Sequence, residues 1–195
     1  AFGLGESTGI EIYERTGTLP ENKPGEDQSP WAGFGQSSQL FTPLQLANYV
    51  ATLVRGGTRY NAHLLKDISA YDGSSVLYTA QPEVLSQQEI QPDNLAAVKK
   101  GMGDLATTGS VGQQFANCIV TAGAKTGSAQ TGEVMANGVF VCFAPFEEPE
   151  VAVAVVIEKG KAGAALASTA VEILNAYFAP SDIGAIMAPE GALLP

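Results

Sequence analysis

Residues 121–133 read TAGAKTGSAQTGE, with a single lysine, Lys125, set among alanine, glycine, serine and threonine. Desolvating an ammonium is costly unless an anion offsets it, and small neighbours leave room for a ligand to lie along the backbone. Around this stretch the pattern is one of strands: CIVTAGAKTG (118–127), GVFVCFAP (138–145) and EVAVAVVIEKG (150–160), with turn residues between them. Connections this short predict antiparallel neighbours. The last of the three is almost continuously apolar, so both its faces should be covered, and AGAALASTAVEILNAYF (162–178) reads as a helix able to cover one. The class that follows is α+β, an antiparallel sheet flanked by helices.

Upstream, residues 1–39 are rich in turn residues and show little periodicity, so this segment must gain its order by packing on something else. FTPLQLANYVATLVRGG (41–57) is the clearest helix. Thr42 serves as N-cap, Pro43 takes the first helical position and Gln45 completes a capping box. Its apolar face is Leu46, Ala47, Val50, Leu53 and Val54, and Gly56-Gly57 stop it. TRYNAHLLKDISAYDGSSVLYTA (58–80) suggests a peripheral hairpin turning at Asp72-Gly73 and ending before Pro82. A second helix should start near Pro92, with Leu95, Val98, Met102 and Leu105 on one face, and fray at Thr107 to Gly109. TTGSVG (107–112) reads as a loop, the Pro- and Gly-rich 180–195 as a tail, and there is no internal repeat.

Composition excludes some functions. Twenty acidic against ten basic residues give a net charge of -10, which disfavours nucleic acid and anionic membrane surfaces as partners. The acids are scattered through loops such as ENKPGED and PFEEPE, as on a solvated surface. No apolar run approaches the ~18 residues of a membrane span, and no basic region leads into an apolar one at the N-terminus, so neither anchor nor targeting signal is expected in the residues given. Cys118 and Cys142 both fall in apolar, strand-like sequence and read as buried free thiols.

Several sites fail on spacing. A phosphate loop needs glycine directly before its lysine and again five residues earlier, where this chain has Ala124 and Ile119. GLGESTG and GFGQSS have the wrong glycine spacing for a dinucleotide fingerprint. His63, the only histidine, has no nucleophile signature beside it and reads as a structural or surface residue; the same shortage of ligands argues against a metal site. What remains is Lys125 on its strand. Gly127 would let a substrate approach, Thr126 offers a hydroxyl to a carboxylate, and free N–H groups of an edge strand can bind a peptide or stabilise an oxyanion. The residues alone leave open a snorkelling surface lysine in a Gly-rich hairpin.

AKTGSAQ (124–130) resembles the Lys-Thr-Gly box of penicillin-binding proteins and serine β-lactamases, in the Lys-Thr-Gly-Ser/Thr-Ala-Gln form of the transpeptidases. Three further stretches agree in order. FGLGESTGIEIYERTGTLP (2–20) is similar to the family's Phe-Gly segment with its TGI-type loop. GFGQSSQLFTPLQLANYVATLVRGG (33–57) resembles its Gly-Gln step into a TPLQLA helix, and NGVFVCFAPFEEPEVAVAVVIEKG (137–160) the two strands after the box.

The resemblance implies the C-terminal part of the β-lactamase/transpeptidase-like fold, with residues 1–179 as that portion of a monofunctional class B-like transpeptidase domain. It implies acyl transfer without a cofactor: a serine attacks the carbonyl between two terminal D-alanines of a peptidoglycan stem peptide, and an amine takes the acyl group. β-Lactams imitate the substrate. Lys125, Thr126 and Gly127 would be the catalytic box residues. Lys125 would supply positive potential for the substrate carboxylate, Thr126 would hydrogen-bond it, Ser128 would give its N–H to the oxyanion hole and Gln130 would lie at the cleft rim. The family's Ser-x-x-Lys and Ser-x-Asn boxes have no match among the serines here, so the nucleophile is expected outside this chain, which alone should be inactive. Cell-wall synthesis proteins are implied partners, and the extracytoplasmic face of a bacterial membrane, reached through an N-terminal anchor absent from this sequence, the implied location. The alternatives are a non-catalytic peptide-binding module and a β-lactamase or β-lactam sensor.

Overall fold

The computed structural model describes residues 2–21, 29–130, 132 and 135–180. The expected tail, 181–195, lies outside them. In chain order the elements are α1 (Ser29–Gly33), α2 (Pro43–Val54), β1 (Thr58–Tyr60), β2 (Asp67–Ser69), β3 (Val76–Thr79), β4 (Val84–Gln87), α3 (Pro92–Thr107), α4 (Gly112–Phe115), β5 (Gly123–Ala129), β6 (Asn137–Ala144), β7 (Val151–Ile157), a 3₁₀ turn (Gly163–Leu166) and α5 (Ala167–Phe178). The architecture is the expected α+β one.

The main sheet has order β5-β6-β7, antiparallel throughout. Alternation along β6 decides what covers it. Phe140, Cys142 and Ala144 join Ala167, Ala170, Val171 and Leu174 of α5 in one buried cluster. Phe143, with Val141 beside it, packs against Val50 and Leu53 of α2 and Met102 of α3. Strand β7 therefore meets α2 on one face and α5 on the other, as its continuous apolar sequence predicts. Burial in this sandwich pushes the Cys142 thiol up to about 12.

Helix α2 starts as expected. The Thr42 hydroxyl accepts from the Gln45 N–H at 3.2 Å, and Gln45 Oε1 accepts from the Thr42 N–H at 3.0 Å. Its buried face, however, includes two polar residues, Gln45 and Thr52, beside Val50 and Leu53. Gln45 Nε2 donates to the carbonyls of Glu6 (2.8 Å) and Thr16 (2.6 Å). This side chain ties the loop-rich N-terminal segment to α2 at two points. An ion pair of Arg59, itself buried, with Glu6 at 2.7 Å adds a second tie.

The structure departs from several expectations. The strand carrying Lys125 starts at Gly123, because residues 117–119 are held by α5 instead: Asn175 Oδ1 accepts from the Ile119 N–H and its Nδ2 donates to the Asn117 carbonyl. Cys118 consequently sits in irregular chain and is half-buried, while both cysteines are free thiols. On α3, Met102 and Ala106 are buried but Val98 is 47% exposed, because the helix meets the sheet along a narrower stripe than its periodicity suggests. The expected loop at 107–112 ends in α4, with Val111 fully buried at its start. The hairpin at Asp72-Gly73 forms as β2–β3 and is exposed, but its base is closed by an unforeseen antiparallel pairing of β1 with β4.

Candidate active site

Strand β5 lies at one end of the main sheet and, among the described residues, pairs only with β6. In its register Lys125 faces Val141, Thr126 faces Phe140, Gly127 faces Val139 and Ser128 faces Gly138. Directly opposite residues share a sheet face, so Lys125 and Gly127 stand on the α2 side and Thr126 and Ser128 on the α5 side. The 3₁₀ turn braces the latter: Ser128 Oγ accepts from the Gly163 N–H at 3.2 Å.

The backbone polar groups of β5 follow from the same alternation, since successive residues turn their N–H and C=O to opposite edges. A Cβ built on Gly163 would lie 2.7 Å from Gly127 N, 2.2 Å from Gly127 O and 2.3 Å from Val139 O. Gly127 therefore directs its polar groups towards β6, where Val139 lies. Thr126 and Ser128 direct theirs outward. The Thr126 carbonyl accepts a bond from Lys125 Nζ on that exposed side. The Lys125 side chain is exposed and folds along the strand, and among the described residues it meets this neutral carbonyl and no carboxylate.

The next outward pair belongs to Gln130, and it is occupied. Gln36 Nε2 donates to the Gln130 carbonyl at 2.9 Å, and Gln36 Oε1 accepts from the Gln130 N–H at 3.4 Å. Lys125, Thr126, Gly127, Ser128 and Gln130 are thus brought together as one strand edge, closed at its far end.

Two carboxylates organise the loop that precedes α2. Glu14 accepts from the hydroxyl and N–H of Thr8, the N–H of Gly9 and the hydroxyl of Ser7. Burial alone would raise its pKa, but the hydrogen bonds from Ser7, Thr8 and Gly9 together outweigh it and hold the carboxyl below its ordinary range. Glu11 is lowered chiefly by the Leu64 N–H, with the Leu65 N–H also bonded to it. His63 is exposed, and its Nδ1 lies 2.9 Å from the Leu65 carbonyl, a surface contact.

A hollow of about 930 Å³ lies elsewhere. It runs between α3 (Leu95, Lys99) and the chain from Phe115 to Ala122, with Phe146 across from them, and no residue of 123–129 lines it. The candidate site is a wall and not a cavity.

Sequence reading missed Gln36, Gln45 and Gly163. Gln45 showed only its local capping role, and Gln36 was visible only as part of a motif. Gly163 carried no signal beyond being a glycine ahead of a helix.

An exposed sheet edge bearing Lys-Thr-Gly-Ser, with one helix layer on each face, is the arrangement that the resemblance to penicillin-binding proteins and serine β-lactamases implies. The family model of the penicillin-binding protein transpeptidase domain matches residues 1–178, and the chain belongs to that family. It is 34% identical over 177 residues to penicillin-binding protein 2A of Bacillus subtilis, covering 80% of this chain and 24% of that protein. It is 30% identical over 201 residues to the peptidoglycan D,D-transpeptidase MrdA of Escherichia coli K12, covering 89% of this chain and 31% of that one. Penicillin-binding protein 2B of Streptococcus pneumoniae R6 superposes with a TM-score of 0.77 at 27% identity, over 92% of this chain and 32% of that structure. The chain thus spans about a quarter to a third of the length of the relatives it matches. The structural neighbours confirm the expected β-lactamase/transpeptidase-like fold.

Proposed function

We propose that residues 1–179 form the C-terminal portion of a serine D,D-transpeptidase domain and supply one wall of its active site. The observation that carries this reading is the β5 edge, where the exposed Lys125 ammonium, without a carboxylate partner among the described residues, lies beside outward-facing backbone groups of Thr126 and Ser128. Lys125 attracts the terminal carboxylate of a stem peptide or a β-lactam, and Thr126 hydrogen-bonds it. The Ser128 N–H points outward, as an oxyanion donor must. Gly127 adds no side chain beside them, and Gln130 closes the rim.

The nucleophile is a serine of the same protein outside these residues. Its oxygen attacks the penultimate D-alanine carbonyl, the bond to the terminal D-alanine breaks, and D-alanine leaves with a proton. An amine of a second strand then displaces the serine from the ester, forming the cross-link and regenerating the hydroxyl. A β-lactam stops at the ester. The work belongs on the extracytoplasmic face of the membrane, alongside other cell-wall synthesis proteins.

The test is labelling of the full-length protein with fluorescent penicillin. The expected result is one acylated serine outside residues 1–195, with Lys125→Ala slowing acylation about 100-fold or more. No label, or a label within these residues, overturns the proposal. Rapid penicillin turnover without cross-linking would assign a β-lactamase instead.

A further inference from the structure

Gln36 does for Gln130 what a neighbouring strand does for a peptide group. Its amide offers one acceptor and one donor, and both are used on the outward-facing N–H and C=O of a residue distant in sequence. The side chain starts from a fixed point, because the Gln36 N–H donates to the Trp31 carbonyl at 3.0 Å in the turn that ends α1. Alternation along β5 makes the consequence specific. The outward pairs along and just past it are those of Thr126, whose carbonyl accepts from Lys125 Nζ, Ser128 and Gln130, and the third is bonded at both its groups.

We infer that Gln36 is a positioning residue and a length stop: it pins the far end of β5 and leaves a bound peptide two outward backbone pairs to run along, those of Thr126 and Ser128. This rests on the proposed role of the β5 edge in holding substrate. A carboxylate at position 36 would accept from the Gln130 N–H but repel its carbonyl, and an alanine would free both groups. The alanine therefore opens the whole third pair to ligand, and the glutamate opens its carbonyl half.

The experiment compares the full-length protein with its Gln36→Ala and Gln36→Glu variants. Each is acylated with penicillin and with N-acyl-D-alanyl-D-alanine peptides lengthened one residue at a time. In the wild type the gain in kcat/KM with length is expected to stop once the extended chain reaches Ser128. In Gln36→Ala penicillin acylation falls about three- to tenfold, as for a lost hydrogen-bonded clamp, and the gain continues for one further residue. Gln36→Glu loses the same length stop, because it cannot bond the Gln130 carbonyl. Amide exchange at Gln130 rises in Gln36→Ala and not in Gln36→Glu, whose carboxylate still accepts from that N–H. If the variants slow every ligand equally and keep the wild-type length profile, Gln36 is only structural and the inference falls. Unchanged rates and profile overturn it as well. A wild-type protein that no penicillin acylates overturns the underlying reading, and the inference with it.

Discussion

Replacing Gly163 with alanine tests whether the 3₁₀ turn sets the position of β5. The added Cβ would stand 2.2 Å from Gly127 O and 2.3 Å from Val139 O. Ordinary carbon contacts begin near 3.5 Å, so turn and strand must separate by about 1 Å. Neither side can yield through a rotamer, because every atom met is backbone. Overpacking of this kind costs about 1–3 kcal/mol. A displacement of about 1 Å in a wall that positions substrate can slow acylation about 100-fold. Gly127→Ala is the control: its Cβ would come no closer than 3.5 Å to Val139, an ordinary contact, so folding should be indifferent to it. The assay is thermal unfolding of the full-length protein together with the rate of penicillin acylation. Gly163→Ala should lower both the melting temperature and the rate, whereas Gly127→Ala should lower the rate alone. An unchanged Gly163→Ala protein would refute the bracing role, and a destabilised Gly127→Ala protein would refute the claim that this glycine answers to the ligand.

Gln45→Ala should destabilise the domain by about 2–4 kcal/mol, because it removes a capping box and strands the Glu6 and Thr16 carbonyls without their donor. Denaturant titration measures this, and a loss under 0.5 kcal/mol would count against the anchoring role. The loop 7–14 should loosen in acid: the Glu14 carboxyl is lowered, so its contribution is full above the ordinary carboxylate pKa of about 4.3 and is lost as pH falls through the folded value. Protection of the Thr8 and Gly9 amides, corrected for intrinsic exchange, should fall in that window. A Glu14→Gln protein showing the same fall would assign the effect to another group.

Features that local chemistry decides were legible in the sequence. The capping box of α2 needs only residues 42 to 45, and the turn of β2–β3 needs only Asp72, whose carboxylate accepts from the Ser74 N–H, and Gly73 at φ +69°. Strands β6 and β7 were visible because their apolar runs are longer than any turn between them. The pairing of β1 with β4 was hidden, since strands of three and four residues with a register shift carry no periodic signal. The onset of β5 was misplaced because Asn175, on another element, takes the backbone groups of 117–119. Of the site, the Lys-Thr-Gly-Ser edge was readable as a motif. Its bracing by Gly163 and its closure by Gln36 were not, since each is a contact between residues far apart in sequence.

The small residues around Lys125 first suggest a strand edge kept bare for a ligand, and the packing divides that explanation. A Cβ on Gly123 would lie 2.5 Å from the Phe143 ring, and one on Gly138 would press Leu166 at 3.2 Å. Ala124 is fully buried in the α5 cluster. These positions are small because the sheet is sandwiched tightly between helices, as in any close-packed interior. At Gly127 the internal constraint lapses. Because the fold itself would accommodate a methyl group there, the proposed function gives Gly127 a different reason to be small: a ligand approaching along the edge where the backbone groups of Thr126 and Ser128 face outward.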